Sequence, residues 1–260
     1  MAGVPHGRDP AGGRRPDAGL TRARDVLNAD RRRLPMVRID ENYRFTGPDG
    51  EVGLLHLFDG ARQLVVQHFM FDPSWEEGCN SCSAMADELS SGVLTHLGKR
   101  GTAFAAVSRA PYPKLQTMRE AKGWTFPWYS SYGSEFNYDF HVTLDPTVAP
   151  ADYNYRDADE LVAAGLSWMT EYVGEQPGLS CFLRDGDQVF HTYSTFGRGV
   201  EVMMTGYHLL DITALGRQEE WEEPKGRAAV AHPANRPDRF GRRKGRDPPR
   251  VVRRSAVRPS

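Results

Sequence analysis

The feature that most constrains the fold of this chain is a continuous apolar run at residues 64–71, followed eight residues later by a CxxC pair, Cys79 and Cys82. The run is rich in β-branched and aromatic residues and is closed by an Asp-Pro pair, which is typical of a strand buried on both faces of a parallel or mixed sheet. Apolar residues recur at helical spacing from Cys82 to Val93. The sequence therefore predicts a strand, a loop and a helix, with the cysteines at the helix start.

Strands and helices continue to alternate along the rest of the chain. The predicted elements are a helix from residue 21 that stops at Pro35, a strand or hairpin at 52–58, a strand at 103–108, a helix at 113–122, an extended segment at 124–129, a hairpin of 179–184 with 188–193 around Asp185-Gly186, and a helix at about 200–210. A parallel strand–helix–strand unit followed by an antiparallel hairpin and a helix is the order of a thioredoxin-like fold. We therefore predict an α/β three-layer sandwich with a mixed central sheet flanked by helices. Residues 132–176 exceed this minimal fold, and their SYGSEFNYDF segment is expected to form an ordered loop packed by its own aromatics.

Composition separates both ends from the body of the chain. Residues 1–20 and 222–260 contain few large apolar side chains and many Arg, Pro and Gly, so they are expected to be disordered around a single domain at 21–221. Residues 222–260 hold twelve Lys/Arg against four Asp/Glu. Such a tail could bind nucleic acid by releasing counterions, but Phe240 is its only aromatic residue. We expect a solvated basic tail and no nucleic-acid partner.

Targeting and cofactor signals are missing from the sequence. No apolar run approaches the length of about eighteen residues that a membrane helix needs, so no membrane partner is expected. Arg14-Arg15 is not followed by an apolar segment, which argues against an export signal and makes the cytoplasm the expected location. The phosphate-binding patterns GxxxxGK and GxGxxG and the metal-binding pattern HExxH do not occur, so no cofactor or metal is expected.

The position of the CxxC pair indicates thiol–disulfide chemistry. At a helix start, free backbone N–H groups and the positive end of the helix dipole favour a thiolate at Cys79. We expect Cys79 to attack a protein or small-molecule disulfide, and Cys82, one turn later, to resolve the mixed disulfide. Glu76 and Glu77 are expected to disfavour the thiolate by like-charge repulsion. Cys181, in mid-strand, is expected to be an inert thiol.

Three other interpretations of the CxxC remain open. A zinc site needs about four ligands. Because the chain has no second CxxC, the candidate ligands beside Cys79 and Cys82 are His68 and His96. A structural disulfide is disfavoured by a reducing compartment. The cysteines could also be small core residues of a thioredoxin-fold module that binds a partner without turnover.

Six segments resemble one family, a bacterial thioredoxin-like family labelled predicted dithiol–disulfide oxidoreductase and also catalogued as a domain of unknown function. These segments are LPMVRIDENYRFTGPDG, LFDGARQLVVQHFMF, WEEGCNSCSAMADEL, VSRAP, GWTFPWYSSYGSEFNYDF and HTYSTFGRG. The resemblance runs from about residue 21 to about residue 216. It implies the thioredoxin-like fold and a redox-active pair at Cys79 and Cys82, and it implies no particular substrate.

Two departures from the wider superfamily bear on the site. Thioredoxin-like proteins carry a cis-proline before the strand that faces the CxxC, and Pro177 is the best candidate for that position. Trp75, which precedes the cysteines, is expected either to line the rim of the site or to be half-buried loop packing. Trp75 and Pro177 are our predicted substrate-binding residues. Peroxiredoxins carry Thr or Ser three residues before the reactive cysteine, where this chain has Glu76. Peroxide reduction by that mechanism is therefore disfavoured, and a thiol-based peroxidase or peroxide sensor stays an alternative.

Overall fold

The computed structural model describes residues 16–219 and 221–226. The strands are β1 (Val37–Ile39), β2 (Arg44–Gly47), β3 (Gly50–Gly53), β4 (Gln63–His68), β5 (Thr102–Ser108), β6 (Trp128–Ser130), β7 (Thr143–Leu144), β8 (Gly174–Glu175), β9 (Gly178–Asp185) and β10 (Gln188–Phe196). The α-helices are α1 (Pro16–Arg31), α2 (Asn80–Asp87), α3 (Ser91–Gly98), α4 (Tyr112–Lys122), α5 (Phe136–Asp139), α6 (Ala158–Ala163) and α7 (Thr205–Asp211). Short 3₁₀ helices cover Leu54–Phe58, Ser167–Glu171 and Gly197–Met203.

One mixed sheet organises the molecule. Its strand order is β1-β10-β9-β4-β5-β6-β2-β3, and a separate small sheet pairs β7 with β8. Strands β4, β5 and β6 run parallel, whereas β9 is antiparallel to both β4 and β10. The predicted buried strand is therefore β4, which has a neighbour on each side.

The central strands have the thioredoxin-like arrangement. A parallel unit, β4-α2-α3-β5, lies beside the antiparallel hairpin β9-β10, and α7 follows the hairpin. Because β4, β5 and β6 advance across the sheet in one direction, right-handed crossovers put α2, α3 and α4 on the same face. Their apolar side chains accordingly share one core cluster, which includes Cys82, Met85 and Leu115.

The opposite face of the sheet carries a second core and shorter helices. Phe58, from the first 3₁₀ helix, and Phe136, from α5, pack there against Leu64 and Val66 of β4. Side chains alternate between faces along a strand, so Val65 packs against the first cluster. The predicted helical layers are thus present on both faces, with the long crossover helices on the cysteine side.

Local sequence signals explain several element ends. Gly123 terminates α4 in the left-handed conformation, at φ 68°. Gly186, at φ 59°, lies in the predicted turn between β9 and β10. The Ser90 hydroxyl accepts a hydrogen bond from the Val93 N–H and caps α3. The cysteine helix therefore ends before Ser90, and the apolar repeat from Cys82 to Val93 is divided between α2 and α3.

Several predicted elements differ from the structure, among them the helix at about 200–210, which is a 3₁₀ helix at Gly197–Met203 followed by α7. Residues 52–58 end β3 and then form the Leu54–Phe58 3₁₀ helix, because Leu54, Leu57 and Phe58 reach the core by helical rather than alternating spacing. The N-terminal helix spans Pro16–Arg31, so it crosses the predicted boundary at residue 20. The 132–176 insertion forms α5, β7, α6, a 3₁₀ helix and β8, and the SYGSEFNYDF segment, predicted as a loop, contains α5. Residues 1–15 and most of the basic tail lie outside the described residues.

None of the helices within the described residues is long and apolar enough to cross a membrane.

Candidate redox site

The loop at residues 72–78 carries the chain from the end of β4 towards the cysteines. The Trp75 N–H donates to the Asp72 carbonyl at 3.0 Å, which makes a turn. The Lys114 ammonium, on α4, donates to the carbonyls of Pro73 and Trp75 at 3.1 and 2.8 Å. Because a side chain from another element binds two loop carbonyls, the loop follows a defined path, and this path sets where α2 begins.

A close approach at Gly78 presses the end of this loop against the core. A Cβ at this position would lie 2.6 Å from Phe69 Cε1 and 3.1 Å from Met118 Sδ, so a larger residue would displace them. The next residue, Cys79, donates its N–H to the Met70 carbonyl at 3.0 Å. These contacts place Cys79 in the N-cap position of α2, which is the helix start that the sequence predicts.

The two thiols of the CxxC are hydrogen-bonded to each other and have opposite proton affinities. The Cys82 side chain is the largest cause of a fall in the pKa of Cys79 to about 6, helped by Ser81 and by N–H groups of the first helical turn and opposed by burial. The same hydrogen bond, together with burial and repulsion from Cys79, raises the pKa of Cys82. At neutral pH, Cys79 is therefore a thiolate and Cys82 a thiol.

Both cysteines are free and almost inaccessible. Cys79 is 6% exposed and Cys82 is 0% exposed. Glu76 and Glu77 are exposed to solvent and are not among the main causes of the shift in the pKa of Cys79, so the repulsion expected from them stays a prediction. Hydrogen bonds inside the motif outweigh any repulsion from these solvated carboxylates.

A cavity of about 420 Å³ begins beside the first turn of α2. Asn80, Ser81 and Pro177 line it. The peptide bond before Pro177 is trans, unlike the proline of the superfamily pattern, and the Pro177 carbonyl accepts a hydrogen bond from the Gly197 N–H at 3.1 Å. Trp75, half-buried against the cysteine-side core, does not line this cavity. The two residues predicted to bind substrate are thus separated, and Pro177 is the one at the cavity.

A buried carboxylate, Glu175, which is 1% exposed, is a site residue that the sequence does not reveal. Arg109 and Thr143 each donate to its Oε1 at 2.9 Å, and Asn137 donates to its Oε2 at 3.1 Å. Burial raises the pKa of Glu175 while these donors lower it, and its charge contributes to the raised pKa of Cys82. The four residues come from separate segments, so no short motif reveals them.

Gln67 is a second buried polar residue that sequence reasoning did not single out. It is 1% exposed, and neither its amide nitrogen nor its amide oxygen has a hydrogen-bond partner. It pairs with Ala106 of β5 and Leu179 of β9. By strand alternation its side chain shares a face with Val65, which is the face of the cysteine-side core. Its position inside an apolar run of the sequence does not reveal that its amide lacks hydrogen-bond partners.

The other candidate ligands lie away from the cysteines or at the surface. His68 Nε2 is bound to Ser180 Oγ at 2.7 Å, and its ring stacks on Phe140 in the opposite core. His96 is exposed on α3. Within residues 16–219 and 221–226, no group of three His, Cys, Asp or Glu side chains is placed to hold a metal ion. Cys181 is half-buried in β9, and burial raises the pKa of its thiol, as expected for an unreactive cysteine.

One family model covers all of the described residues. A family model described as bacterial protein of unknown function (DUF899) matches residues 16–238. The chain belongs to this family. No curated protein matches the chain.

Solved structures similar to this DUF899 chain include remote relatives with peroxiredoxin titles. Peroxidoxin BcpB from Mycobacterium tuberculosis is 11% identical with a TM-score of 0.40, and the match covers 63% of this chain and 84% of that one. A mutant of PrxQ from Xylella fastidiosa is 12% identical with a TM-score of 0.42, covering 65% and 93%. At such low similarity, the thioredoxin-like fold is established by strand order and connectivity rather than by these matches.

Proposed function

We propose that this protein is a dithiol–disulfide oxidoreductase in which Cys79 is the nucleophile and Cys82 the resolving thiol. The observation that supports it is the hydrogen-bonded thiolate–thiol pair at the start of α2, with the pKa of Cys79 lowered to about 6 and the pKa of Cys82 raised. A low pKa makes Cys79 ionised near neutral pH, and thiolates rather than thiols attack disulfides.

The first step is attack of the Cys79 thiolate on one sulfur of a substrate disulfide. The Cys79–substrate S–S bond forms, the substrate S–S bond breaks, and the departing thiolate takes a proton from solvent. This step also removes the negative charge on Cys79. Because repulsion from that charge and the hydrogen bond to Cys79 both hold the proton on Cys82, their loss lowers the pKa of Cys82.

The second step is attack of the newly ionised Cys82 on the Cys79 sulfur. A Cys79–Cys82 disulfide forms and the remaining substrate thiolate leaves, so the protein loses two electrons and the substrate gains them. A thiol or dithiol reductant is then needed to return the protein to its starting state. The reverse sequence oxidises a dithiol substrate.

A redox titration against dithiothreitol and its cyclic disulfide tests this function. One two-electron transition is expected for the wild type and none for Cys79→Ser. Cys82→Ser is expected to accumulate a mixed disulfide with substrate, which mass spectrometry detects as an added half of the disulfide. Cys181→Ser, a variant of the third cysteine, is the control and is expected to titrate like the wild type. A protein that keeps both thiols reduced across the range would be a binding module instead.

Peroxide reduction is a second candidate because the same thiolate could attack a peroxide and become a sulfenic acid, which Cys82 would condense to a disulfide. A trapping reagent for sulfenic acids, applied to Cys82→Ser after stoichiometric hydrogen peroxide, separates the two. Rapid labelling of Cys79 would favour peroxide reduction. Slow labelling together with fast disulfide exchange would favour the proposed dithiol–disulfide oxidoreductase.

A further inference from the structure

The burial of Cys79 limits what can reach it. Its side chain is 6% exposed, whereas exchange requires a substrate sulfur to come into bonding contact with the Cys79 sulfur. A disulfide held between two bulky folded chains would need the surrounding protein to open. A slender molecule needs only a narrow route, and the 420 Å³ cavity is lined by Asn80 and Ser81, the two residues between the cysteines, although neither cysteine lines it. Cavities of this size bind small molecules.

Two segments that lie more than a hundred residues after α2 in the sequence form one wall of this cavity. The 3₁₀ helix Gly197–Met203 and α7 form the wall opposite α2. A hydrogen bond of 2.9 Å from the Gly206 N–H to Glu88 Oε2 ties the start of α7 to the end of α2. The wall is therefore joined to the cysteine helix itself, and the cavity is a defined feature of the fold rather than a gap between loops.

The cavity surface is mostly apolar near the cysteines. Met70, Met85, Val200 and Met204 are buried residues that line it. Methionine side chains are flexible and polarisable, so they adapt to varied apolar and sulfur-containing groups. Such a surface favours a ligand that carries apolar substituents.

The charged groups of the cavity do not favour an anion. Its lining contains Glu88, Glu201 and Arg198. Arg198 Nε donates to Glu201 Oε1 at 3.0 Å, and Glu201 also binds Arg217 at 2.9 Å. The lining thus holds two carboxylates against one guanidinium, and that guanidinium is already paired. A substrate carboxylate would meet like charge and lose solvation without gaining a free cation.

Resting on the proposed function, we propose that the substrate is a low-molecular-weight disulfide, uncharged or cationic and with apolar substituents, which reaches Cys79 through this cavity. The reaction converts one such disulfide and the Cys79–Cys82 dithiol into two small thiols and the protein disulfide. Electrons and protons balance without a further reactant.

A stopped-flow comparison of four oxidants tests the substrate class on the reduced full-length protein. The oxidants are 2-hydroxyethyl disulfide, which is neutral, cystamine, which is cationic, glutathione disulfide, which is anionic, and insulin. Each rate constant for thiol loss is divided by that of free dithiothreitol with the same oxidant, which removes intrinsic reactivity. The neutral and cationic disulfides are expected to react at least tenfold faster than glutathione disulfide and insulin. Insulin reacting fastest would overturn the proposal.

Two neighbouring substitutions on α7 test the route. Leu210 lines the cavity, whereas Leu209 is 59% exposed and does not line it. Leu210→Trp is expected to slow oxidation by 2-hydroxyethyl disulfide at least fivefold, and Leu209→Trp is expected to react like the wild type. Ala84→Phe, at an exposed lining position of α2, gives a second obstruction if Leu210→Trp does not fold.

The titration against dithiothreitol separates failure of this inference from failure of the proposed function. Obstruction changes rates and leaves the equilibrium potential of the Cys79–Cys82 pair unchanged. A normal two-electron transition with equal rates in both obstructed variants and the wild type would overturn the cavity route and leave the oxidoreductase intact. Absence of the transition in the wild type would overturn both.

Discussion

Two identical side chains three residues apart acquire different chemistry from their positions in one helical turn. Cys79 receives a hydrogen bond from Cys82 and contacts with Ser81 and the first-turn N–H groups, whereas Cys82 is the fully buried donor. The motif alone predicts this asymmetry, because any CxxC at a helix start places its first sulfur against free N–H groups. The sequence did not indicate that both thiols would be so deeply buried.

Removing the Cys82 thiol is expected to raise the pKa of Cys79. Cys82→Ala deletes the group that lowers it most, so the pKa should rise from about 6 towards the ordinary value of 9.0. Cys82→Ser keeps an O–H donor and should give a smaller rise, as should Ser81→Ala. The rate of alkylation by iodoacetamide, measured against pH, reports each pKa. Coincident profiles for wild type and Cys82→Ala would show that the pair does not set the acidity.

The unpaired amide of Gln67 is expected to cost stability. Burying a polar group that has no hydrogen-bond partner destabilises the folded state by about 1–3 kcal/mol, because the group loses its hydration. Gln67→Met, which keeps the length of the side chain, should therefore raise the free energy of unfolding by about 1 kcal/mol. Urea denaturation measures the change. Gln63→Met, at an exposed position of the same strand, is the matched control and should change little. A destabilised Gln67→Met would mean that the amide has a role inside the core.

Among the elements, those marked by strong local signals could be predicted and those defined by packing could not. The β9–β10 hairpin follows from Asp185-Gly186, and the end of α4 follows from Gly123, because each turn needs a left-handed residue. The sequence predicts a strand or hairpin at residues 52–58, although a short apolar run suits a strand or a buried helical turn equally well. Only its contacts with the second core decide between them.

The loop–helix junction at Gly78 gives a prediction for these elements. Gly78→Ala is expected to lower the free energy of unfolding by about 1–3 kcal/mol, because the added Cβ would lie 2.6 Å from Phe69 Cε1. Gly98→Ala is the matched control. Gly98 lies in α3, and a Cβ there would have no neighbouring atom within 4 Å. Gly98→Ala should therefore stabilise the helix by about 0.5–1 kcal/mol. Thermal unfolding of both variants checks the opposite signs, and equal effects would contradict the close approach.

In the whole molecule, the cysteines could be found from a motif but their surroundings could not. The cavity depends on residues 197–211 folding back onto α2, and Glu175 comes from the 132–176 insertion, which the minimal fold does not include. Each contact joins segments that are distant in sequence, such as Arg109 with Glu175 and Gly206 with Glu88. No local periodicity records such pairings, so only the assembled sheet reveals them.

The central sheet also predicts how the stability of the molecule depends on pH. His68, at the end of β4, is 1% exposed, and burial followed by repulsion from His191 lowers its pKa from 6.5 to about 3. Between these values the unfolded chain binds a proton at His68 that the folded chain does not. The free energy of unfolding attributable to His68 therefore falls on acidification below about pH 6.5, by up to about 1.4 kcal/mol per pH unit.

Other groups titrate in the same range, so a difference between variants isolates this effect. The pKa of His191 is also lowered, which adds to the slope, whereas the raised pKa of Glu175 opposes it. His68→Gln retains a polar group for Ser180 and removes the imidazole. Urea denaturation from pH 8 to pH 5 gives the free energy of unfolding of both proteins. The difference between His68→Gln and the wild type should be constant above pH 7, and below pH 6 it should shift in favour of the variant. The control is His96→Gln, at an exposed position, whose free energy of unfolding should differ from that of the wild type by the same amount at every pH. A constant difference for His68→Gln as well would show that the folded protein protonates this buried imidazole.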